Sequence, residues 1–98
     1  FGIEDSLLKD INDIFKQFPQ VEKAYIFGSR ARGDYTKTSD IDLAVEGKDI
    51  ESKILNLIEN ELFYLNTILQ FDLVNLCEIN KAPLKNNILQ EGVMIYGD

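Results

Sequence analysis

The chain has 98 residues, which is enough for one domain with a thin core. A domain of this size buries only about 60–70% of the surface its unfolded chain exposes. A content of 45% hydrophobic and 28% charged residues is that of an ordinary folded protein and excludes a disordered one. The balance of 17 acidic against 10 basic residues gives a net charge of −7, which argues against extended binding to a nucleic-acid backbone. No histidine is present, so imidazole general-base chemistry and histidine-ligated zinc are excluded.

Apolar residues at Ile3, Leu7, Leu8, Ile11, Ile14, Phe15 and Phe18 keep helical spacing, and Pro19 is expected to end that helix. Ala24-Tyr25-Ile26-Phe27 reads as a buried strand, stopped by Gly28-Ser29. Arg30 to Ser39 is polar and reads as a loop with room for one helical turn. Asp40 to Val45 alternates, with Ile41, Leu43 and Val45 on one face and Asp40, Asp42 and Ala44 on the other. A helical register runs from Ile50 through Leu65, with its end placed near Asn66 because no Gly or Pro marks the stop. Phe71 to Leu76 reads as a third strand, Pro83 as the first turn of a last helix capped by Gly92, and Val93 to Tyr96 as a final strand. The order helix, strand, strand, helix, strand, helix, strand predicts one α/β domain over residues 1–98, a single sheet covered by helices.

No apolar run is long enough for a membrane span. Phe1-Gly2-Ile3-Glu4 lacks the basic start of a signal peptide and also lacks an initiator methionine. Cys77 is the single cysteine, which precludes an internal disulfide and fits a reducing, cytoplasmic setting. It reads as a small apolar side chain rather than a nucleophile.

The chemistry-bearing segment is Gly28-Ser29, ten residues, then Asp40-Ile41-Asp42. At ordinary residue frequencies those four positions arise by chance in on the order of one in a thousand chains of this length. Residues i and i+2 of a strand lie about 6.6–6.8 Å apart and project to the same side, so Asp40 and Asp42 can converge on one divalent ion or on a pair of ions. An oxygen-only donor set favours Mg²⁺, with Mn²⁺ as the alternative. Gly28 permits close backbone approach to a ligand, and Ser29 offers a hydroxyl and an N–H to a phosphate oxygen. Arg30, Arg32 and Lys37 form a local basic cluster in an acidic chain, and Arg30 and Arg32 are candidate phosphate contacts. No Gly-x-x-x-x-Gly-Lys-Ser/Thr motif supports a P-loop, and Asp-x-Asp lacks the other ligands of a twelve-residue calcium loop.

From Tyr25 to Val45 the sequence resembles the signature of the nucleotidyltransferase superfamily of DNA polymerase beta, poly(A) polymerases, CCA-adding enzymes and aminoglycoside nucleotidyltransferases. It is most similar to the minimal nucleotidyltransferases (MNT proteins), small domains often paired with a HEPN protein as antitoxin and toxin. The ending, Pro83-Leu84 through Ile88-Leu89 and Glu91-Gly92-Val93 to Ile95-Tyr96, is similar to the tail of those minimal members. The resemblance implies a mixed sheet flanked by helices, as in the polymerase beta palm. It implies a third carboxylate on a later strand, matching Asp72, with Glu78 the nearest competitor. It implies two Mg²⁺ ions on Asp40, Asp42 and Asp72, and ATP as the nucleotide. It also implies transfer of AMP to a hydroxyl, such as a tyrosine on a HEPN toxin. With no room for the extra helical domains of larger members, a partner chain or a second copy is expected to complete the acceptor site. The rival expectation is an antitoxin that neutralises its partner by occlusion alone; transfer to a small molecule is a third.

Overall fold

A computed structural model describes residues 1–80 and 82–97. The elements follow the order α1 (Asp5–Lys16), β1 (Val21–Phe27), α2 (Ser29–Arg32), β2 (Ile41–Gly47), α3 (Ser52–Phe63), β3 (Phe71–Asn75), a 3₁₀ turn (Leu76–Glu78), α4 (Ala82–Glu91) and β4 (Val93–Tyr96). The strands form one mixed sheet in the order β3-β2-β1-β4. β1 runs antiparallel to both β2 and β4, and β2 runs parallel to β3 through the α3 crossover. This is the helix-flanked mixed sheet expected of the polymerase beta-like fold.

The larger core lies between one face of the sheet and the helices α1 and α3. Ile11, Ile14 and Phe15 of α1 and Ile58 and Leu62 of α3 pack on Val21, Ala24, Ile26, Ile41, Leu43, Val45 and Leu73. Each is nearly withdrawn from water, worth about 1.5–3 kcal/mol per large side chain before the entropy of ordering is set against it. On the opposite face, α4 brings Ile88 against Ala44 and Leu76, with Tyr25, Phe27 and Val74 at the margin. Alternation along β2 therefore serves two cores, and the second covers only part of its face. Asp42, two residues before Ala44, lies on that same face beyond the edge of the packing.

Several boundaries differ from the sequence expectation. β1 starts at Val21 rather than Ala24, with a register shift between Val21 and Lys23, both of which also pair with β2. α1 ends at Lys16, two residues before Phe18, because Gln17 and Phe18 turn their N–H groups to Ile14 and Phe15 in a tight last turn. α3 ends at Phe63, short of Asn66. There the Leu65 N–H bonds the Leu62 carbonyl and the Leu69 N–H bonds the Thr67 hydroxyl, so side chain and 3₁₀-type bonds replace the helical ladder. Leu76 leaves the strand for a 3₁₀ turn, where the Asn75 side chain accepts from the Cys77 N–H.

Candidate active site

The site lies where the C-terminal end of β1 meets the N-terminal ends of β2 and β3. Phe27, the last residue of β1, pairs with Asp42, and Asp42 pairs in parallel register with Asp72. Neighbouring strands are about 4.7–4.9 Å apart, and residues in parallel register project to the same face. The two carboxylates therefore stand side by side, although 30 residues separate them in sequence. Asp40 precedes β2 by one residue and shares the face of Asp42 by strand alternation.

Gly28 takes φ 74° and ψ −152°, a region almost closed to residues with a Cβ, and it turns the chain from β1 into α2. A Cβ on Gly28 would come within 2.2 Å of Asp42 Oδ2. Gly28 is thus required both by its backbone angle and by the carboxylate that lies against it. Its carbonyl accepts from the Ala31 and Arg32 N–H groups, which closes α2 into a single turn led by Ser29. The glycine-serine corner and the acidic pair consequently face each other across one small space.

Electrostatics show the same gathering. Burial pushes the Asp42 carboxyl above its ordinary value, and the charges of Asp72 and Asp40 push it further. The charge of Arg32 opposes this. Arg32 itself is held by Glu91 at the end of α4, Nη1 to Oε2 at 3.2 Å, and by Asp34, Nε to Oδ2 at 3.3 Å. Sequence reasoning placed Glu91 only in a family-like tail; the pairing of β4 with β1 is what carries it to the site.

Arg30 does not join this group. It is 2% exposed, and its guanidinium donates to the carbonyls of Ser39, Phe1, Gly2 and Lys37 while lying over the Tyr35 ring. The sequence expectation of a phosphate contact there is corrected: every donor direction points into backbone. By bonding Ser39, Arg30 ties α2 to the residue just before Asp40, which fixes the glycine-serine corner relative to the acidic strand.

The donor set fits a hard divalent cation. All candidate ligands are carboxylate oxygens, their mutual repulsion is only partly offset by Arg32, and the absence of a Cβ on Gly28 makes room for the Asp42 carboxylate at the corner. Among the described residues no three acidic side chains stand close enough together to enclose an ion, so the structure does not bring Asp40, Asp42 and Asp72 into one closed cluster.

A mixed α/β sheet with an acidic strand pair facing a glycine corner defines a domain of the phosphoryl- and nucleotidyl-transfer class. Residues 9–98 match the family described as "Polymerase beta, Nucleotidyltransferase", and the chain belongs to that family, whose members are typically metal-dependent. A Methanocaldococcus jannaschii protein named "Putative protein adenylyltransferase" is 34% identical over 96 residues, spanning 92% of this chain and 90% of its own. The fold superposes on a solved toxin-antitoxin structure with AMP-PNP at a TM-score of 0.77 and 24% identity, covering 93% of this chain and 73% of that one. It also superposes on a Shewanella oneidensis complex of a tri-AMPylated HEPN toxin with an MNT antitoxin, at a TM-score of 0.66 and 23% identity, covering 94% and 73%. Among the described residues no helix is long and apolar enough to cross a membrane.

Proposed function

We propose that this chain transfers AMP from ATP to a hydroxyl group of a partner protein, a tyrosine on a HEPN-type toxin, and so acts as its antitoxin. The observation that carries the reading is the Asp42–Asp72 pair, side by side on β2 and β3 and facing the Gly28 corner. The acceptor class is supported by the adenylyltransferase name of the archaeal relative and by the AMPylated toxin in the Shewanella complex. Residues 1–98 act as one nucleotidyltransferase domain, with the acceptor supplied by another chain.

The triphosphate lies at the corner that Gly28 turns beside Asp42, and takes hydrogen bonds from Ser29. Arg32 turns its paired donors to a phosphate oxygen. Asp40, Asp42 and Asp72 would hold two Mg²⁺ ions, with Mn²⁺ a substitute. When bound, such ions neutralise the phosphates and stabilise the entering and leaving oxygens of an in-line displacement. Asp72 sits on the acceptor side and takes the proton of the tyrosine hydroxyl as its oxygen attacks the α-phosphorus. The bond from the α-phosphorus to the β-phosphate oxygen breaks, and pyrophosphate leaves. Most of the rate comes from positioning and charge neutralisation.

The test incubates the protein with α-labelled ATP, Mg²⁺ and a HEPN-type toxin, taken from the neighbouring reading frame where that frame encodes one. Label is expected on a toxin tyrosine with the native chain and none with Asp42→Asn. Equal labelling by both would overturn the reading. Neutralisation of the toxin with Mg²⁺-ATP bound, but no label transferred, would instead establish occlusion.

A further inference from the structure

β3 is an outer strand of the sheet, so its far side offers unpaired backbone N–H and C=O groups. Beside that edge runs a groove of about 690 Å³, walled by Glu59 and Phe63 of α3 and by the chain from Thr67 to Leu73. Asp72 lies in its lining. The apolar side chains at its mouth face water to an extent unusual for their type: Phe63 is 78% exposed and Ile68 91%. Single exposed apolar residues need no explanation, but two flanking one groove that leads to a candidate catalytic carboxylate do.

We infer that this groove is the docking track for the acceptor polypeptide, which lies in extended form along β3 and delivers its hydroxyl to Asp72. This rests on the transfer reading above for the identity of the reactive group, but the docking itself does not. Three observations choose the occupant. The groove is continuous with Asp72, so whatever fills it brings its own groups to the site. An open strand edge bonds a polypeptide backbone by strand addition, with alternate side chains seated in neighbouring pockets, which a nucleic acid cannot imitate. Its charged lining, Glu59 and Asp72, is acidic in a chain of net charge −7, so the segment it takes is apolar with a basic residue, not a phosphate backbone.

The experiment uses the full chain, its Phe63→Glu and Ile68→Glu variants, Asp42→Asn, and a HEPN-type toxin as partner. Calorimetry reads partner binding and, separately, Mg²⁺-ATP binding. Hydrogen exchange reads the amides of Phe71–Asn75 with and without partner. Expected are partner binding weakened tenfold or more by Phe63→Glu and Ile68→Glu, ATP binding within twofold of native, and β3 amides slowed by the partner. Asp42→Asn should keep partner binding. Because both altered side chains are exposed, native melting temperatures are expected and serve as the folding control. Partner binding unchanged in both glutamate variants, or β3 exchange unaffected by partner, overturns the docking track. So does failure of the native chain to bind the partner, or an Ile68→Glu change that only dissociates a homodimer. Binding lost in the glutamate variants with no AMP transfer by the native chain would keep the track and remove the transfer chemistry.

Discussion

Replacement of Gly28 by alanine tests the geometry of the corner directly. Two separable effects follow from the structure. At φ 74° and ψ −152° any residue with a Cβ is strained by about 1–3 kcal/mol. For a domain of this size each kcal/mol moves the melting temperature by roughly 4–8 °C, so a fall of about 4–24 °C is expected. The new Cβ would also stand 2.2 Å from Asp42 Oδ2. Ordinary contact begins near 3.4 Å, so the carboxylate must retreat by about 1 Å, and a misplacement of that size costs on the order of 100-fold in rate. The control is Gly33→Ala. Gly33 is also left-handed, at φ 92° and ψ 4°, but a Cβ there meets nothing within 4 Å. It should lose about 1–2 kcal/mol of stability and keep near-native AMP transfer. Thermal melts and a labelled-ATP transfer assay read both variants. A Gly28→Ala protein that melts and transfers like the native chain would refute the reasoning. Equal loss of transfer in Gly28→Ala and Gly33→Ala would show that strain, not displacement of Asp42, is responsible.

Asp42→Asn should raise the melting temperature in the presence of a chelator, since burial and two neighbouring carboxylates disfavour its charge. The sign follows from the raised pKa: the folded chain holds this proton more tightly than the unfolded one. Its contribution is therefore present below the ordinary value of 3.8 and lost as pH rises through the higher folded value. Melts of native and Asp42→Asn protein across that interval should converge at low pH and separate above it. Mg²⁺ at about 100 times its dissociation constant should stabilise the native chain by about 2.7 kcal/mol and leave Asp42→Asn nearly unmoved, as read by calorimetric scanning. Arg30→Lys should cost roughly 1–3 kcal/mol despite keeping the charge, because the part-buried bonds of the guanidinium to the Phe1 and Ser39 carbonyls are lost. Arg32→Ala should do the opposite, weakening Mg²⁺-ATP binding with little change in the melt, because its ion pairs are solvent-exposed.

Local patterns carried most of what was legible. Alternation along Asp40–Val45 is a property of one strand, so it told which face the carboxylates occupy without knowledge of any neighbour. The partnership of Asp42 with Asp72 depends on strand order and parallel register, which are set by packing between distant segments and leave no mark at either residue. Asp72 was reached only through family resemblance. Arg30 shows a signal that was present and misread. If Ser29–Arg32 forms a helical turn, residues two apart point away from each other, so Arg30 and Arg32 cannot serve one ligand. The end of α3 was illegible because Leu65, Ile68 and Leu69 continue its apolar spacing after the helix has stopped; Ile68 lies in water instead of core.

The strand order β3-β2-β1-β4 also has a consequence during synthesis. Gly28 follows β1, and Asp42 and Asp72 lie on β2 and β3, so the strands that carry the site are all complete by residue 75. The other flank of β1 must wait for Val93–Tyr96. Without that pairing the edge of β1 at Ala24–Ile26 stands open, and an open strand edge pairs with other chains, so a stop within α4 would leave a truncated product prone to aggregate.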